Sequence, residues 1–159
     1  MTTFGPRSLR HASVGLLGGA VLLGGFGIAR AIDEPENVVA YRQNVMKSQA
    51  AHITAIVGVV KGEVSFTGHV ADHARGLAST ARMIPDIFPE GSDVGDTRAK
   101  PEIWQQWDEF TAAAKVLEET STKLVEVAAT GDVAAIGAQL QNVGKACGGC
   151  HEPFRKPKE

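Results

Sequence analysis

The sequence of 159 residues has only two cysteines, few aromatic residues and no cluster of basic side chains. The two cysteines lie three positions apart, so a disulfide between them would close a loop too short to stabilise a small secreted fold. Sixteen basic and 18 acidic residues give a net charge of −2. Without a basic run, this charge argues against a nucleic-acid partner. The composition also excludes collagen-like and disordered chains, which leaves a globular domain.

The one long uncharged stretch lies at the N-terminus. Residues 1–31 contain three arginines and no acid, and their apolar, glycine-rich run ends at Ala29-Arg30-Ala31. Basic residues, an apolar run and small residues before a cleavage point predict a secretory signal peptide over 1–31; an uncleaved membrane anchor is the alternative. Removal of this segment leaves one domain, 32–159, with 13 basic and 18 acidic residues and a net charge of −5. We therefore expect an exported, periplasmic protein.

Four segments of the mature chain show helical periodicity, and none shows the alternation of a strand. Thr130-Gly131-Asp132 supplies a C-terminal glycine for the third helix and an N-cap aspartate for the fourth. Most connections are short, and residues 85–100 are predicted to form an ordered surface crossover. The pattern predicts an all-α, antiparallel up-down-up-down four-helix bundle. The predicted helices cover approximately residues 35–61, 66–84, 101–129 and 133–154.

A chemical motif lies in the last predicted helix, where Cys147-Gly148-Gly149-Cys150-His151 has the spacing of covalent c-type haem attachment. Positions i and i+3 share one face of a helix, so both sulfurs reach the two vinyl groups of one porphyrin edge. His151 is then placed to bind the iron from the proximal side. The alternatives are a thioredoxin-like dithiol, which lacks its strand–helix context, a zinc site without an obvious fourth ligand, and a local disulfide. The motif favours one covalent haem c.

The first predicted helix offers candidates for the opposite face of the haem. Arg42 and Met46 are separated by four residues and therefore lie on one side of this helix. Met46 is either a distal iron ligand or an apolar side chain that fills the core. Arg42 is a candidate partner for a haem propionate. His69 and His73 have the same i, i+4 spacing, which suits a metal site in principle, although no third ligand is evident.

Four stretches of the mature chain share their pattern with a known family. The stretches are Tyr41 to Lys47, Val60 to Glu63, Arg98 to Trp104, and Val143 to His151 with Phe154 and Arg155. They resemble the cytochrome c′ family, the class II c-type cytochromes, and are most similar to its low-spin cytochrome c-556 branch. The resemblance implies a haem contact for Trp104 and a distal ligand at Met46, and it permits a homodimer built on the first two helices. Arg155 is a further candidate for a haem contact, with a solvated C-terminal cation as the alternative.

These observations predict a periplasmic monohaem electron carrier with low-spin iron held by His151 and Met46. Its partners would be redox proteins of an electron-transport chain. The first alternative is a high-spin, five-coordinate cytochrome c′ that binds NO or CO. The second alternative is a metal-binding or structural helical bundle without haem. Because no paired carboxylates, nucleophile–base pair or phosphate-binding loop is evident, we do not expect an enzyme.

Overall fold

A computed structural model describes residues 33–157 of the chain, and the predicted signal peptide lies outside this part. Short 3₁₀ turns at Thr67–His69 and Pro85–Ile87 join some of the helices. Between residues 33 and 157 there is no strand, only an isolated antiparallel bridge between Ala99 and Arg155. The same residues contain no helix that is long and apolar enough to cross a membrane. The helices are α1 (Pro35–Val60), α2 (Val70–Arg82), α3 (Glu102–Gln105), α4 (Trp107–Ala128) and α5 (Val133–Phe154).

The four long helices form a bundle, which confirms the predicted all-α fold. Helix α2 packs against α1 and α4, and α5 packs against α4 and α1. The apolar periodicity of α4 and α5 correctly marks their buried faces, from Phe110 to Ala128 and from Ile136 to Phe154. The fully buried side chains at the centre of the core include Ile56, Val70, Leu77, Phe110, Leu124, Ile136 and Val143.

Two of the predicted helix boundaries are wrong. The second helix begins at Val70 instead of near Phe66, and the ring of Phe66 is 57% exposed and stacks on His69. The third helix breaks at Gln106, whose backbone angles (φ −124°, ψ 50°) are not helical. This break changes the register before α4. The apolar spacing of the third predicted helix places Trp107 on the buried face, but after this break its side chain is 36% exposed.

The crossover between α2 and α3 is ordered, as predicted, and is tied to the helices at several points. The indole Nε1 of Trp104 donates to the carbonyl oxygens of Phe88 and Pro89, at 3.0 Å each. The Lys100 N–H donates to the Phe154 carbonyl at 3.1 Å, and the Lys156 N–H donates to the Arg98 carbonyl at 2.8 Å. These bonds join the crossover to α3 and to the C-terminal end of α5.

The start of α5 is capped in the manner that the sequence predicts. Gly131 adopts a left-handed backbone (φ 71°) after α4, and Asp132 Oδ1 accepts hydrogen bonds from the N–H groups of Ala134 (2.9 Å) and Ala135 (3.1 Å). Asp132→Ala removes this cap, so we expect it to lower the free energy of unfolding by about 1 kcal/mol. Urea denaturation followed by circular dichroism measures the change.

Asp132→Asn is the matched control, because asparagine caps a helix about as well as aspartate does. We expect this variant to keep most of the stability. An equal loss in both variants would contradict the capping role.

Candidate functional site

A cavity of about 280 Å³ lies within the bundle, and its walls come from α1, α4, α5 and the crossover. Apolar side chains make up most of the wall, while the polar groups belong to α1, the crossover and the end of α5. The lining residues that bear on its chemistry are Arg42, Met46, Gln49, Phe88, Arg98, Phe110, Leu117, Cys147, Cys150, His151, Phe154 and Arg155.

Helix α5 brings the three residues of the predicted attachment motif to this one cavity. Cys147 and Cys150 are half-buried, pack against the core and are not bonded to each other. Burial raises the pKa of both thiols, and that of Cys150 reaches about 11, with the neighbouring Cys147 contributing. Both sulfurs are therefore protonated at neutral pH and lie in apolar surroundings. The local disulfide considered from the sequence is not formed in this structure.

His151 also lines the cavity, and two arginines surround it. Arg155 Nη1 lies 3.5 Å from His151 Nε2. Burial, followed by the positive charges of Arg155 and Arg98, lowers the pKa of the imidazole. The ring is thus neutral at physiological pH and has a lone pair available, as a metal ligand requires.

Helix α1 supplies a different wall of the same cavity. Arg42, Met46 and Gln49 all line it, so the predicted shared face of Arg42 and Met46 is confirmed. Met46 is half-buried and packs against the core. The amide Nε2 of Gln49 is buried and has no hydrogen-bond partner among residues 33–157. The periodicity of α1 did not single out Gln49, because a glutamine is not expected on a buried face.

Arg42 is 3% exposed, and the crossover binds its guanidinium. Nη1 donates to Ser92 Oγ at 2.8 Å, and Nη2 donates to the Ser92 carbonyl and to Thr97 Oγ1, each at 2.7 Å. The guanidinium also lies 4.6 Å from the centre of the Phe88 ring. In this structure Arg42 therefore anchors the crossover. A contact between Arg42 and a haem propionate stays a prediction. It would have to use the guanidinium N–H groups that do not donate to Ser92 or Thr97.

Trp104 is not among the residues that line the cavity, and the haem contact that the resemblance implies for it stays a prediction. Its indole is bonded to backbone carbonyls of the crossover, with its centre 6.5 Å from that of the Phe88 ring. Phe88 and Phe110 form the wall instead, with ring centres 4.9 Å apart. The sequence did not identify Phe88, because it lies in an irregular segment without periodicity.

The donor set and the walls of the cavity fit a haem c. Two thiols, one neutral imidazole and a thioether face a space walled mainly by apolar side chains, which suits a flat, apolar macrocycle with a central iron. Arg42, Arg98 and Arg155 add positive charge beside the cavity, where an anionic group would be favoured.

Comparison with known proteins gives a consistent result. Residues 37–155 match the family model described as Cytochrome C'. A cytochrome c′ of Rhodospirillum rubrum is 36% identical over 129 residues, which cover 80% of this chain and 87% of that protein. A cytochrome c-556 of Agrobacterium tumefaciens is 31% identical over 121 residues, covering 76% and 98% respectively. A solved nitric oxide complex of a cytochrome c prime variant from Alcaligenes xylosoxidans superposes with a TM-score of 0.72 at 28% identity, covering 79% and 98%.

Proposed function

This chain belongs to the cytochrome c′ family, and from that premise we propose that it is an exported monohaem protein that binds a small gas such as NO or CO. Its cofactor is one covalently bound haem c. The apolar cavity that Cys147, Cys150 and His151 share supports the haem, and the relatives, one of them solved as a nitric oxide complex, support the gas. We propose a binding protein and not an enzyme, located in the periplasm.

The residues of α5 have separate roles in this proposal. Cys147 and Cys150 would hold the haem through two thioether bonds, and His151 would bind its iron. The bound haem would supply an iron that can gain or lose one electron and bind a small ligand. Burial and, after it, the positive charges of Arg155 and Arg98 lower the pKa of His151, so the neutral imidazole would bind iron without first losing a proton.

The relatives and the position of Met46 favour different ligands for the haem iron on the side opposite His151. The R. rubrum relative is a cytochrome c′, and the solved A. xylosoxidans relative contains nitric oxide. These relatives favour gas binding over the His/Met electron carrier that the sequence analysis placed first. On this proposal Met46 is part of the apolar wall beside the bound gas and not a ligand of the iron.

The electron carrier is the second candidate, because one observation specifically favours it. Met46 lines the same cavity as His151, and a thioether is a suitable distal ligand for low-spin haem. The c-556 relative is compatible with this candidate. Two permanent axial ligands would leave no position for a gas, and the protein would then exchange electrons with redox proteins. Pairing of two copies through α1 and α2 stays a prediction.

The two candidates predict opposite responses to CO. We expect the reduced wild-type protein to bind CO, with the change in its absorption spectrum that accompanies a new axial ligand. Met46→Ala should leave that response largely unchanged, because it removes only part of the wall. The measurement is a CO titration of reduced, haem-loaded protein followed by absorption spectroscopy.

Met83→Ala is the control, because Met83 is 38% exposed and does not line the cavity. A wild-type protein that resists CO, combined with a Met46→Ala variant that binds it, would replace gas binding with the electron carrier. In that case Met83→Ala should resist CO as the wild type does.

A further inference from the structure

Two histidines from neighbouring helices meet on the side of the bundle, away from the residues that line the cavity. His52 of α1 and His73 of α2 place their Nδ1 atoms 3.1 Å apart, with ring centres separated by 5.3 Å and ring planes inclined by 57°. Both side chains are partly exposed, so solutes reach them from the solvent. Within residues 33–157 neither imidazole has another hydrogen-bond partner.

The sequence suggested a different pair, His69 and His73. His69 lies in the 3₁₀ turn before α2, where its ring stacks on Phe66 with centres 5.2 Å apart. His73 is one turn further along the chain and faces α1. The tertiary structure therefore pairs His73 with His52, which is 21 positions earlier.

A recess in α2 holds the ring of His52. A Cβ atom built on Gly76 would lie 2.4 Å from His52 Nε2 and 2.7 Å from its Cε1. Any side chain larger than hydrogen at residue 76 would therefore displace the imidazole. His73 and Gly76 are one turn apart on α2, so this helix offers both the space for the ring and the group that faces its Nδ1.

The separation of the two nitrogens suits a shared metal ion. Two imidazole nitrogens at 2.0–2.1 Å from one tetrahedral ion are about 3.3 Å apart, close to the 3.1 Å observed. Burial, followed by the effect of His73, lowers the pKa of His52, so its imidazole is neutral at physiological pH. The same distance also allows the Nδ1–H of one ring to donate to the other Nδ1, with the donor set by the tautomers. Binding of a metal ion would displace the proton of that hydrogen bond.

We propose that His52 and His73 bind one divalent transition-metal ion of the zinc type through their Nδ1 atoms. Imidazole is a preferred ligand for such ions. Two histidines supply half of a tetrahedral ligand set, so water would have to complete the coordination. Among residues 33–157 no group of three or more His, Cys, Asp or Glu side chains is arranged around a metal position. The ion would link α1 to α2. The site is independent of the haem-binding cavity and of the proposed function.

The test is isothermal titration of ZnCl₂ into haem-loaded, untagged mature protein in a buffer that does not bind metals. We expect one zinc ion per chain. His52→Ala and His73→Ala should each weaken the affinity by about tenfold or more, since removal of a ligand costs at least as much as removal of a group that merely orients one. His69→Ala is the matched control and should bind zinc as the wild type does. Circular dichroism verifies that each variant is folded.

Gly76→Ala tests the geometry without removing a ligand. The added methyl group must displace the His52 ring, so we expect zinc affinity to fall although both histidines remain. Alanine is a better helix former than glycine, so α2 itself should persist. The proposal is overturned if His52→Ala or Gly76→Ala binds zinc as tightly as the wild type, or if His69→Ala loses as much affinity as His73→Ala.

Discussion

Replacing Cys147 and Cys150 together by alanine is expected to abolish covalent haem attachment. Each thiol lines the cavity on the face of α5 that also presents His151. With both sulfurs removed, no thioether remains, and acid extraction should leave a colourless polypeptide of apoprotein mass. The measurement is mass spectrometry of the chain before and after extraction, with the protein exported in a host that matures c-type haem.

The two single variants are the matched controls. Each retains one thiol, so each should keep haem on the chain through one thioether when maturation succeeds. A double variant that still carries pigment after extraction would contradict the assignment of these cysteines.

The double variant should also be much less stable. Loss of the haem would leave the apolar side chains around the cavity without the group that they pack against, and their greater contact with water would lower the free energy of unfolding. We therefore expect a large fall in the midpoint of thermal unfolding, measured by circular dichroism, relative to the haem-loaded wild type.

The second large effect is expected for Arg42→Ala. The substitution removes three hydrogen bonds between α1 and the crossover and leaves the carbonyl and hydroxyl of Ser92 buried without their guanidinium donors. Hydrogen bonds to charged groups are among the strongest in proteins, and buried groups that lose their partners are costly. We expect the free energy of unfolding to fall by about 3 kcal/mol, measured by urea denaturation of haem-loaded protein.

Gln43→Ala is the control for this prediction. Gln43 is the next residue of α1 and also binds the crossover, since its Nε2 donates to the Asp96 carbonyl at 2.7 Å. This bond is solvent-exposed, so we expect a loss of less than about 0.5 kcal/mol. An Arg42→Ala variant that is as stable as Gln43→Ala would show that other bonds hold the crossover, such as those of Trp104.

The sequence correctly brings together residues whose proximity depends only on local spacing. Cys147, Cys150 and His151 are neighbours on α5, and one helical turn is enough to place them together. The cap at Asp132 is also a local pattern. For Phe66 and Trp107 the local pattern failed, because the ends of helices depend on packing with other elements as well as on periodicity.

The residues that the sequence misplaced or missed depend on contacts between distant segments. Arg42 is buried because a crossover some 50 residues later binds it, and the crossover also supplies Phe88 to the cavity wall. Gln49 is buried although its side chain is polar. No periodic pattern within α1 indicates these partners.

The linear order of the residues was therefore sufficient to predict the helical class and to identify the attachment motif and the family resemblance. It did not determine that Met46 and His151 line one cavity, that Trp104 lies outside it, or that His52 meets His73. Spacing along a helix determines which residues share a face. Which faces then meet depends on the free energy of burying side chains from all the helices together. That packing is therefore known only from the tertiary structure.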